Sequence, residues 1–445
     1  MHRRNARESR GIHQRIVVGM ASVAAFVLAA KLVAAAKEMV VAWRYGISGE
    51  VDAYLLAITV VTWVPVMVAS VGTAVLVPRL VALTTEPRAR SRFLAELNGA
   101  FALLGLAMMG LSALFGPWIV GLVADGLPAA TRELASTAAW QLAPLSLLTV
   151  LAGFLAIRLQ ARERQAYTFL EAMPALGILV FVLLASPGMG MTPLIWGTLS
   201  GAVLQVAWSV QMARHADDGL GGMAFSRRSG QWRSLYAAFG VMAMGQLVMG
   251  LSTPIDQVFA AQVGEGAVAT LGYANRIISL ATGLGAIAIA RALLPVLSET
   301  VANEGFKFGR AQTLSWASLM LGVGFVAALV GWLCAPWGVR LLFERGAFGA
   351  QDTDVVAHAL RIALFQLPFF FSGVVLVQWI AVLRDYRLLL LVAVLAIAFK
   401  AAMNFATVRL LALDGIILST VGMYAISWIC QMLFVLGRKT ETSAR

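Results

Sequence analysis

The sequence predicts an all-α polytopic membrane protein of about twelve transmembrane helices, arranged as two six-helix lobes. Three observations support this fold class. Hydrophobic residues make up 60% of the 445 residues, charged residues only 13%, and the mean hydropathy is +0.83, whereas soluble domains average roughly 25% charged residues. The apolar residues gather into runs long enough to cross a bilayer. The basic residues fall mainly in alternate loops.

The apolar runs define the predicted helices in chain order. A helix needs about 20 residues to cross roughly 30 Å of hydrocarbon. Runs long enough to do so occupy 16–43, 52–82, 95–116, 133–159, 165–186, 192–213, 233–262, 268–298, 311–334, 354–383, 387–409 and 414–437. The run at 117–124 is too short to span and is predicted to lie at the outer interface.

The distribution of basic residues predicts the orientation. Residues 1–15 hold five arginines, and the loops after even-numbered helices and the C-terminal tail hold most of the other basic residues. The loops after odd-numbered helices hold only Arg44, Arg132, Arg340, Arg345 and Arg409. Because cytoplasmic loops are enriched in Lys and Arg, both termini are predicted to face the cytoplasm. The net charge of +12 therefore reflects topology and affinity for anionic membrane lipids, and nucleic-acid binding is not needed to explain it.

The N-terminal apolar run also permits a second interpretation. Small residues at 33–36 resemble the cleavage site of a signal peptide. Lys31 interrupts the run, however, and cleavage would leave an odd number of spans. A retained first helix is therefore the preferred interpretation.

A hydrophilic linker and an internal echo predict the two lobes. The linker at 214–232 follows the sixth helix and divides the chain into lobes at 1–220 and 221–445. The dipeptide Gly-Glu opens a helix at 49–50 and again at 264–265, and each of these helices carries a proline near its far end. Six-plus-six repeats are common in transporters, with the substrate site between the halves.

Charges inside the predicted spans indicate what the transporter binds. The basic residues at membrane depth are Lys31, Lys37, Arg276, Arg291, Arg361 and Lys400. The acids are fewer, namely Glu38 and Asp256, with Asp52 and Glu171 as further candidates. Internal ion pairs cannot neutralise every cation, so an aqueous cavity that receives an anion is expected.

Each of these charges also has a structural alternative. Lys31 and Glu38 share one face of the first helix, where they can neutralise each other in part. Arg291 lies near a helix end and can extend to the interface. Arg361 and Lys400 can pair across helices or donate to carbonyl groups. Glu38, Asp256, Arg291, Arg361 and Lys400 are therefore candidates for a cavity or gating role only.

Arg276 is the strongest candidate for binding a ligand. A guanidinium stays protonated in proteins and costs about 2.5–3.5 kcal/mol at the centre of a bilayer. No acid lies within four residues of it in the stretch GYANRIISLATG at 272–283. Its helix neighbours include Gly272, Asn275 and Ser279, and this small, polar face suits the wall of a cavity.

The sequence offers little support for catalysis, a metal or a cofactor. The histidines are His2, His13, His215 and His358, and only His358 lies near a span. Paired carboxylates, a nucleophile elbow and a glycine-rich phosphate loop are not found. Cys334 and Cys430 fall in apolar helices without metal-ligand spacing. The prediction is a transporter and not an enzyme.

Three segments carry a resemblance to a known family. They are KEMVVAWRYGISGEVDAYLLA at 37–57, PIDQVFAAQVGEGAVATLGYANRIISLATGLGAIAIARALLPVLSE at 254–299 and VRLLFERGAFGAQDT at 339–353. The chain resembles the MurJ/MviN family of lipid II flippases in the MOP exporter superfamily. The resemblance implies the MOP fold and, as site residues, Lys31 and Lys37 on the first helix, Asp52 on the second and Arg276 as the residue that meets the substrate's pyrophosphate.

Two departures from the family pattern bear on the substrate. Pro65 and Val66 stand where the family usually has an arginine pair, and the sequence ends after the twelfth predicted helix, where the family usually has two more. Both favour a relative that flips another polyprenyl-linked saccharide, such as an exopolysaccharide repeat unit. The expected function is a flippase that moves lipid II or such a unit from the inner to the outer leaflet of a bacterial cytoplasmic membrane. The alternative is a MATE-like drug or metabolite antiporter, and a coupling ion stays open in either case.

Overall fold

The computed structural model describes residues 26, 28–162, 167–186, 188–216, 221–226, 229–383 and 385–438. Every element longer than one turn in this part of the chain is an α-helix. The helices are α1 (28–45), α2 (Gly49–Ala82), α3 (Pro87–Val123), α4 (Ala129–Gln141), α5 (Ala143–Gln160), α6 (Tyr167–Leu170), α7 (Met173–Leu184), α8 (Thr192–Ala216), α9 (Gln231–Gly250), α10 (Ser252–Val263), α11 (Ala267–Glu304), α12 (Phe306–Phe343), α13 (Ala350–Ala363), α14 (Leu367–Val382) and α15 (Tyr386–Gly437). The predicted fold class, an all-α polytopic membrane protein, is confirmed.

The predicted number of twelve spans is not confirmed. Within the described residues, eight helical stretches are long and apolar enough to cross a membrane. One reason is that α15 runs for 52 residues through two predicted spans, with a kink at Ala412 where φ is 48°. Another is that several predicted spans consist of two shorter helices.

Prolines explain three of the breaks inside predicted spans. Pro144, Pro174 and Pro368 lie in the first turns of α5, α7 and α14. Proline lacks the N–H that a preceding helical turn would need, but it is accommodated in the first turn of a new helix. The predicted end of the third span at residue 116 is wrong for the opposite reason. Pro117 is accommodated inside α3, which continues to Val123.

The chain forms two compact units, and each combines separate stretches of sequence. The first, here the N-terminal unit, comprises Met1–Arg44, Leu56–Leu122 and Glu133–Gln246. The second, the C-terminal unit, comprises Tyr45–Leu55, Val123–Arg132 and Leu247–Arg445. The first turns of α2 therefore belong to a different unit from the rest of that helix. The division into lobes at residues 220 and 221 stays a prediction.

Each unit has its own apolar core. In the N-terminal unit, Leu76, Leu80, Phe93 and Leu97 pack with the start of α9. In the C-terminal unit, Trp379 of α14 is buried between Leu297 and Ala317 and has only 1% of its surface exposed. Small residues bring α7 and α8 together, because a Cβ at Gly177, Gly197 or Gly201 would collide with the facing backbone.

The segment before α9 is fixed to α3 in the N-terminal unit. Glu96 is buried, and its carboxylate accepts hydrogen bonds from the Ser229 hydroxyl at 2.6 Å and the Trp232 indole N–H at 2.7 Å. The backbone N–H of Ala224 donates to the carbonyl of Ala95 at 2.9 Å. The described end of the predicted hydrophilic linker is therefore held against the helix bundle of its own unit.

Candidate functional site

The first turns of α2 and α11 meet inside the C-terminal unit through Asp52. Its carboxylate is fully buried, and it accepts from the backbone N–H of Gly266 at 2.5 Å and of Ala269 at 2.7 Å. The first N–H groups of a helix have no partner within the helix and carry a partial positive charge. A carboxylate placed there stabilises the start of α11. Both Asp52 oxygens are engaged by this helix.

The two Gly-Glu dipeptides that echo each other in the sequence are neighbours in the structure. The backbone N–H of Gly49 donates to a carboxylate oxygen of Glu265 at 3.0 Å. This contact lies beside the Asp52 cap and joins the same two helix starts. The sequence echo therefore marks a packing contact within the C-terminal unit.

Aromatic residues connect the segment at 339–353 to the point where the starts of α2 and α11 meet. The Tyr273 hydroxyl donates to the carbonyl of Gly46 at 3.0 Å. The Tyr273 ring packs against both Phe343 and Phe348, with centroids 5.1 Å and 5.4 Å away, and these two rings also contact each other. Gly46 has a φ of +57°, and a Cβ there would lie 2.6 Å from the Ala347 carbonyl oxygen. We call these contacts, together with the Asp52 cap, the motif junction.

The motif junction holds the start of α11, the helix that carries Arg276. Arg276 follows the capped residue Gly266 by ten residues, which is about 15 Å of helix at 1.5 Å per residue. Arg276 is exposed, as are Asn275 and Ser279 beside it, and the Ser279 hydroxyl donates to the Arg276 carbonyl at 2.8 Å. The polar face predicted from the sequence is therefore at the surface of this unit.

Lys400 and Asp256 form a buried ion pair between α15 and α10. The Lys400 ammonium is fully buried and donates to Asp256 Oδ2 at 2.8 Å and to the Ser252 hydroxyl at 2.6 Å. The Thr420 hydroxyl also approaches Asp256 Oδ2, at 3.4 Å. An ammonium with two close oxygen partners inside the bundle is neutralised locally. Lys400 therefore pairs across helices with Asp256, as the structural alternative for this residue predicted.

Arg361 also interacts with a neighbouring helix. Its Nε donates to the carbonyl of Trp332 on α12 at 3.1 Å, and its guanidinium lies 4.7 Å from the centroid of the Trp332 ring. A carbonyl and an aromatic face both stabilise a cation without a carboxylate. Arg291 lies in α11, but its side chain falls outside the described residues.

The candidates on α1 differ from each other. Lys37 forms an ion pair with Glu38 at 2.5 Å, and both side chains are largely buried. Lys31 is exposed. Of the predicted substrate-binding residues, Arg276 and Lys31 are exposed, Asp52 is fully buried and Lys37 is largely buried beside Glu38.

Sequence reasoning missed several residues that hold the site together. Tyr273, Phe343 and Phe348 look like ordinary apolar helix residues in the sequence, and Ser252 and Thr420 look like isolated hydroxyls. The Gly-Glu echo, Asp52 and the three segments at 37–57, 254–299 and 339–353 were the available signals for the motif junction. Within the described residues, no group of three or more acidic, histidine or cysteine side chains is placed to hold a metal ion.

Comparison with known proteins gives one family over most of the chain. A family model described as "Lipid II flippase MurJ" matches residues 41–443. A "Probable lipid II flippase MurJ" of Rhizobium tropici is 29% identical over 229 residues, which are 51% of this chain and 42% of the relative. One of Rhizobium meliloti (strain 1021) is 28% identical over 350 residues, which are 73% of this chain and 62% of the relative. These matches span less than two thirds of either relative.

Solved structures share the fold. A structure described as "Lipid II flippase MurJ, inward closed conformation" has a TM-score of 0.76 and 19% identity, and the match covers 94% of this chain and 87% of that one. An inward-facing MATE family multidrug resistance transporter of the MOP superfamily has a TM-score of 0.71 and 17% identity, and the match covers 92% and 93%. At these identities the likeness shows the fold, which is that of the MOP transporters.

Proposed function

We propose, from the premise that this chain belongs to the lipid II flippase MurJ family, that it moves a polyprenyl-pyrophosphate-linked saccharide across a bacterial cytoplasmic membrane. The movement runs from the inner to the outer leaflet by alternating access, with both termini in the cytoplasm. The single observation that carries the proposal is the exposed Arg276, which lies in the first third of α11, the helix whose start is held by the motif junction. The two lobes at 1–220 and 221–445 are part of this proposal.

A pyrophosphate matches what Arg276 offers. The guanidinium keeps its charge, and its planar fork can donate two hydrogen bonds to one phosphate group. Its cost in a membrane interior falls when an anion or water solvates it. The small and polar neighbours on its face leave room for such a headgroup.

Two other cations that the sequence placed at membrane depth in the C-terminal unit have partners within that unit. Lys400 is neutralised by Asp256, and Arg361 lies against Trp332. Asp52 has both oxygens on the backbone of α11, so we propose that it positions the helix and does not touch the substrate. In the N-terminal unit, the exposed Lys31 is the stronger candidate and Lys37 the weaker one.

The same contacts weigh against the antiporter alternative. A transporter of cationic drugs needs carboxylates that are accessible to its substrate. Asp256 is paired with Lys400, Glu38 with Lys37, and Asp52 with backbone N–H groups. Asp256, Glu38 and Asp52 are therefore engaged in internal contacts, whereas Glu171 is exposed.

The membrane potential favours the proposed direction. A pyrophosphate diester carries about two negative charges, and each charge moved outward against an inside-negative potential gains about 2.3 kcal/mol per 100 mV. The gain is therefore about 4.6 kcal/mol per 100 mV for each headgroup. The membrane potential supplies this free energy directly, without a chemical reaction.

Lipid II, the substrate in the name of the matched family, is the first substrate to test. Position 66, where the family usually has an arginine, carries Val66 with 54% of its surface exposed. A headgroup contact that the arginine would provide is thus missing. We expect a polyprenyl-pyrophosphate saccharide without the peptide of lipid II to be flipped at least as well as lipid II.

The test is a flipping assay on purified protein in vesicles with fluorescently labelled lipid II and the saccharide without peptide. Arg276→Ala should reduce apparent affinity by more than about 100-fold, because two charge-assisted hydrogen bonds are worth at least about 3 kcal/mol. Arg276→Lys should keep partial activity, since the charge remains and the fork is lost.

The matched control is Arg340→Ala, which removes another exposed arginine of the same unit. It should flip both lipids like the wild type. Expression and melting temperature are recorded for each variant, so that a folding defect is distinguished from a loss of transport. Full activity of Arg276→Ala would refute the proposal.

A further inference from the structure

A buried polar cluster lies where α10 begins, and the proposed contact of Arg276 with the substrate does not use it. The seventh predicted span is interrupted at Leu251, between α9, which ends at Gly250, and α10, which begins at Ser252. Pro254, in the first turn of α10, has no N–H to donate to the preceding turn. Transporters commonly hold coupling ions at membrane depth, where spanning helices are interrupted. The cluster at this interruption is therefore a candidate ion site.

The cation in this cluster is part of the chain. Lys400 Nζ donates to Ser252 Oγ at 2.6 Å and to Asp256 Oδ2 at 2.8 Å. Lys400 has none of its surface exposed, and Asp256 has 6%. Thr420 Oγ1, from the other half of α15, lies 3.4 Å from the same carboxylate oxygen. Oxygen atoms of this kind are also the ligands that hard metal cations take.

The charges of the described cluster balance each other. Asp256 supplies one negative charge, which matches one monovalent cation, and Lys400 supplies that charge. A second cation beside Lys400 would leave an unpaired positive charge inside the membrane, which is costly. The ammonium therefore excludes a dissolved cation from the position that it occupies. Because it is covalently attached, it does not exchange with the solution on either side of the membrane.

Stability alone does not require a charged contact here. Replacing a buried ion pair by packed apolar side chains of similar volume is often neutral or stabilising. Apolar residues could therefore join α10 to α15 equally well. The structure instead has a positive charge held by oxygen atoms at the helix interruption.

We propose that the Lys400 ammonium is a built-in substitute for a bound monovalent cation, so that the protein works without a sodium, potassium or ammonium ion at this position. Without the lysine, the same position would bind such an ion through Asp256 Oδ2 and Ser252 Oγ. The consequence for transport rests on the proposed function, whereas the binding chemistry does not depend on it.

The first experiment is thermal unfolding of the purified full-length protein in choline chloride, with sodium, potassium or ammonium chloride replacing choline. Ionic strength is kept constant, so that screening is equal in all salts. The wild type should have the same melting temperature in each salt. Lys400→Ala removes the ammonium and its stem, and its melting temperature should rise saturably with at least one of the three cations. At 100 times the dissociation constant, the rise should be about 5–11 °C.

Two control variants separate cation binding from a general effect of salt. Lys400→Met fills the space of the lysine stem with an apolar side chain and should not respond to the cations. Lys400→Ala combined with Asp256→Asn keeps the space but lacks the carboxylate, and it should not respond either. If Lys400→Ala does not fold in choline, it is purified in each of the three salts. Recovery of folded protein above that of Lys400→Met is then the expected result, and recovery in none of them would overturn the proposal.

The second experiment compares flipping by the wild type in vesicles that contain sodium, potassium or choline at equal membrane potential. The rate should be the same in all three. A rate that depends on sodium or potassium would overturn the proposal. If no lipid is flipped in any salt, the proposed function fails and the melting temperatures alone decide on the cation site. A saturable rise of the wild-type melting temperature with any of the cations would also overturn the proposal, as would a response of Lys400→Ala no larger than that of Lys400→Met.

Discussion

Asp52 provides a direct test of how the protein positions Arg276. Its carboxylate is buried and accepts the backbone N–H groups of Gly266 and Ala269 at the start of α11. If this contact holds the helix that carries Arg276, removing it should destabilise the protein even without a substrate. A residue that only contacts the substrate would leave the empty protein as stable as the wild type.

The structure sets the size of the effect. Asp52→Ala leaves two buried N–H groups without acceptors, at about 1–3 kcal/mol each, so the expected loss is about 2–6 kcal/mol. Folding units of 150–250 residues lose about 2–4 °C of melting temperature per kcal/mol. The melting temperature should therefore fall by at least about 4 °C. Asp52→Asn should lose less, because its one remaining oxygen can accept from only one of the two N–H groups.

The assay is thermal unfolding of purified protein in detergent without added substrate, followed by flipping in vesicles. Asp354→Ala on α13 is the matched control, since it removes an exposed carboxylate of the same unit and should leave the melting temperature unchanged. A wild-type melting temperature in Asp52→Ala, together with loss of flipping, would refute the positioning role. It would restore Asp52 as a substrate ligand.

Two further substitutions, one in each unit, test buried polar contacts by thermal unfolding, and the second is also tested by proteolysis. Lys400→Met leaves the Asp256 carboxylate buried without its partner and should cost about 3–5 kcal/mol, whereas adding Asp256→Leu should recover most of that loss. A single variant as stable as the wild type would contradict the ion pair. In the N-terminal unit, Glu96→Gln replaces one acceptor oxygen facing the Ser229 and Trp232 donors, so it should cost about 1–3 kcal/mol and speed proteolysis between α8 and α9. The exposed Glu86→Gln is its control, and equal proteolysis rates for the two variants would disprove the anchoring role of Glu96.

The sequence alone was sufficient for the class of protein and for the approximate places of its helices. Hydropathy is a local property, because each spanning segment must satisfy its backbone internally and present apolar side chains to lipid. The resemblance carried by the segments at 37–57, 254–299 and 339–353 likewise led to the family that the comparison confirmed. The exposed polar face of Arg276 was predicted from helical spacing within one short stretch.

Helix breaks were less predictable because proline has more than one outcome. Pro144, Pro174 and Pro368 begin new helices, whereas Pro117 is carried inside α3. Which outcome occurs depends on whether neighbouring groups compensate for the lost hydrogen bond. Those neighbours come from other parts of the chain.

Only the tertiary structure decided which charges are engaged within their units. Asp52 meets the start of α11 across 214 residues of sequence, and Lys400 meets Asp256 across 144. No pattern within a single helix reveals such partners, because a buried charge is neutralised by whichever polar group the packing brings within about 3 Å. The sequence identified which cations lie within predicted spans. The packing determined that Lys400 is buried beside Asp256 and that Arg276 is exposed.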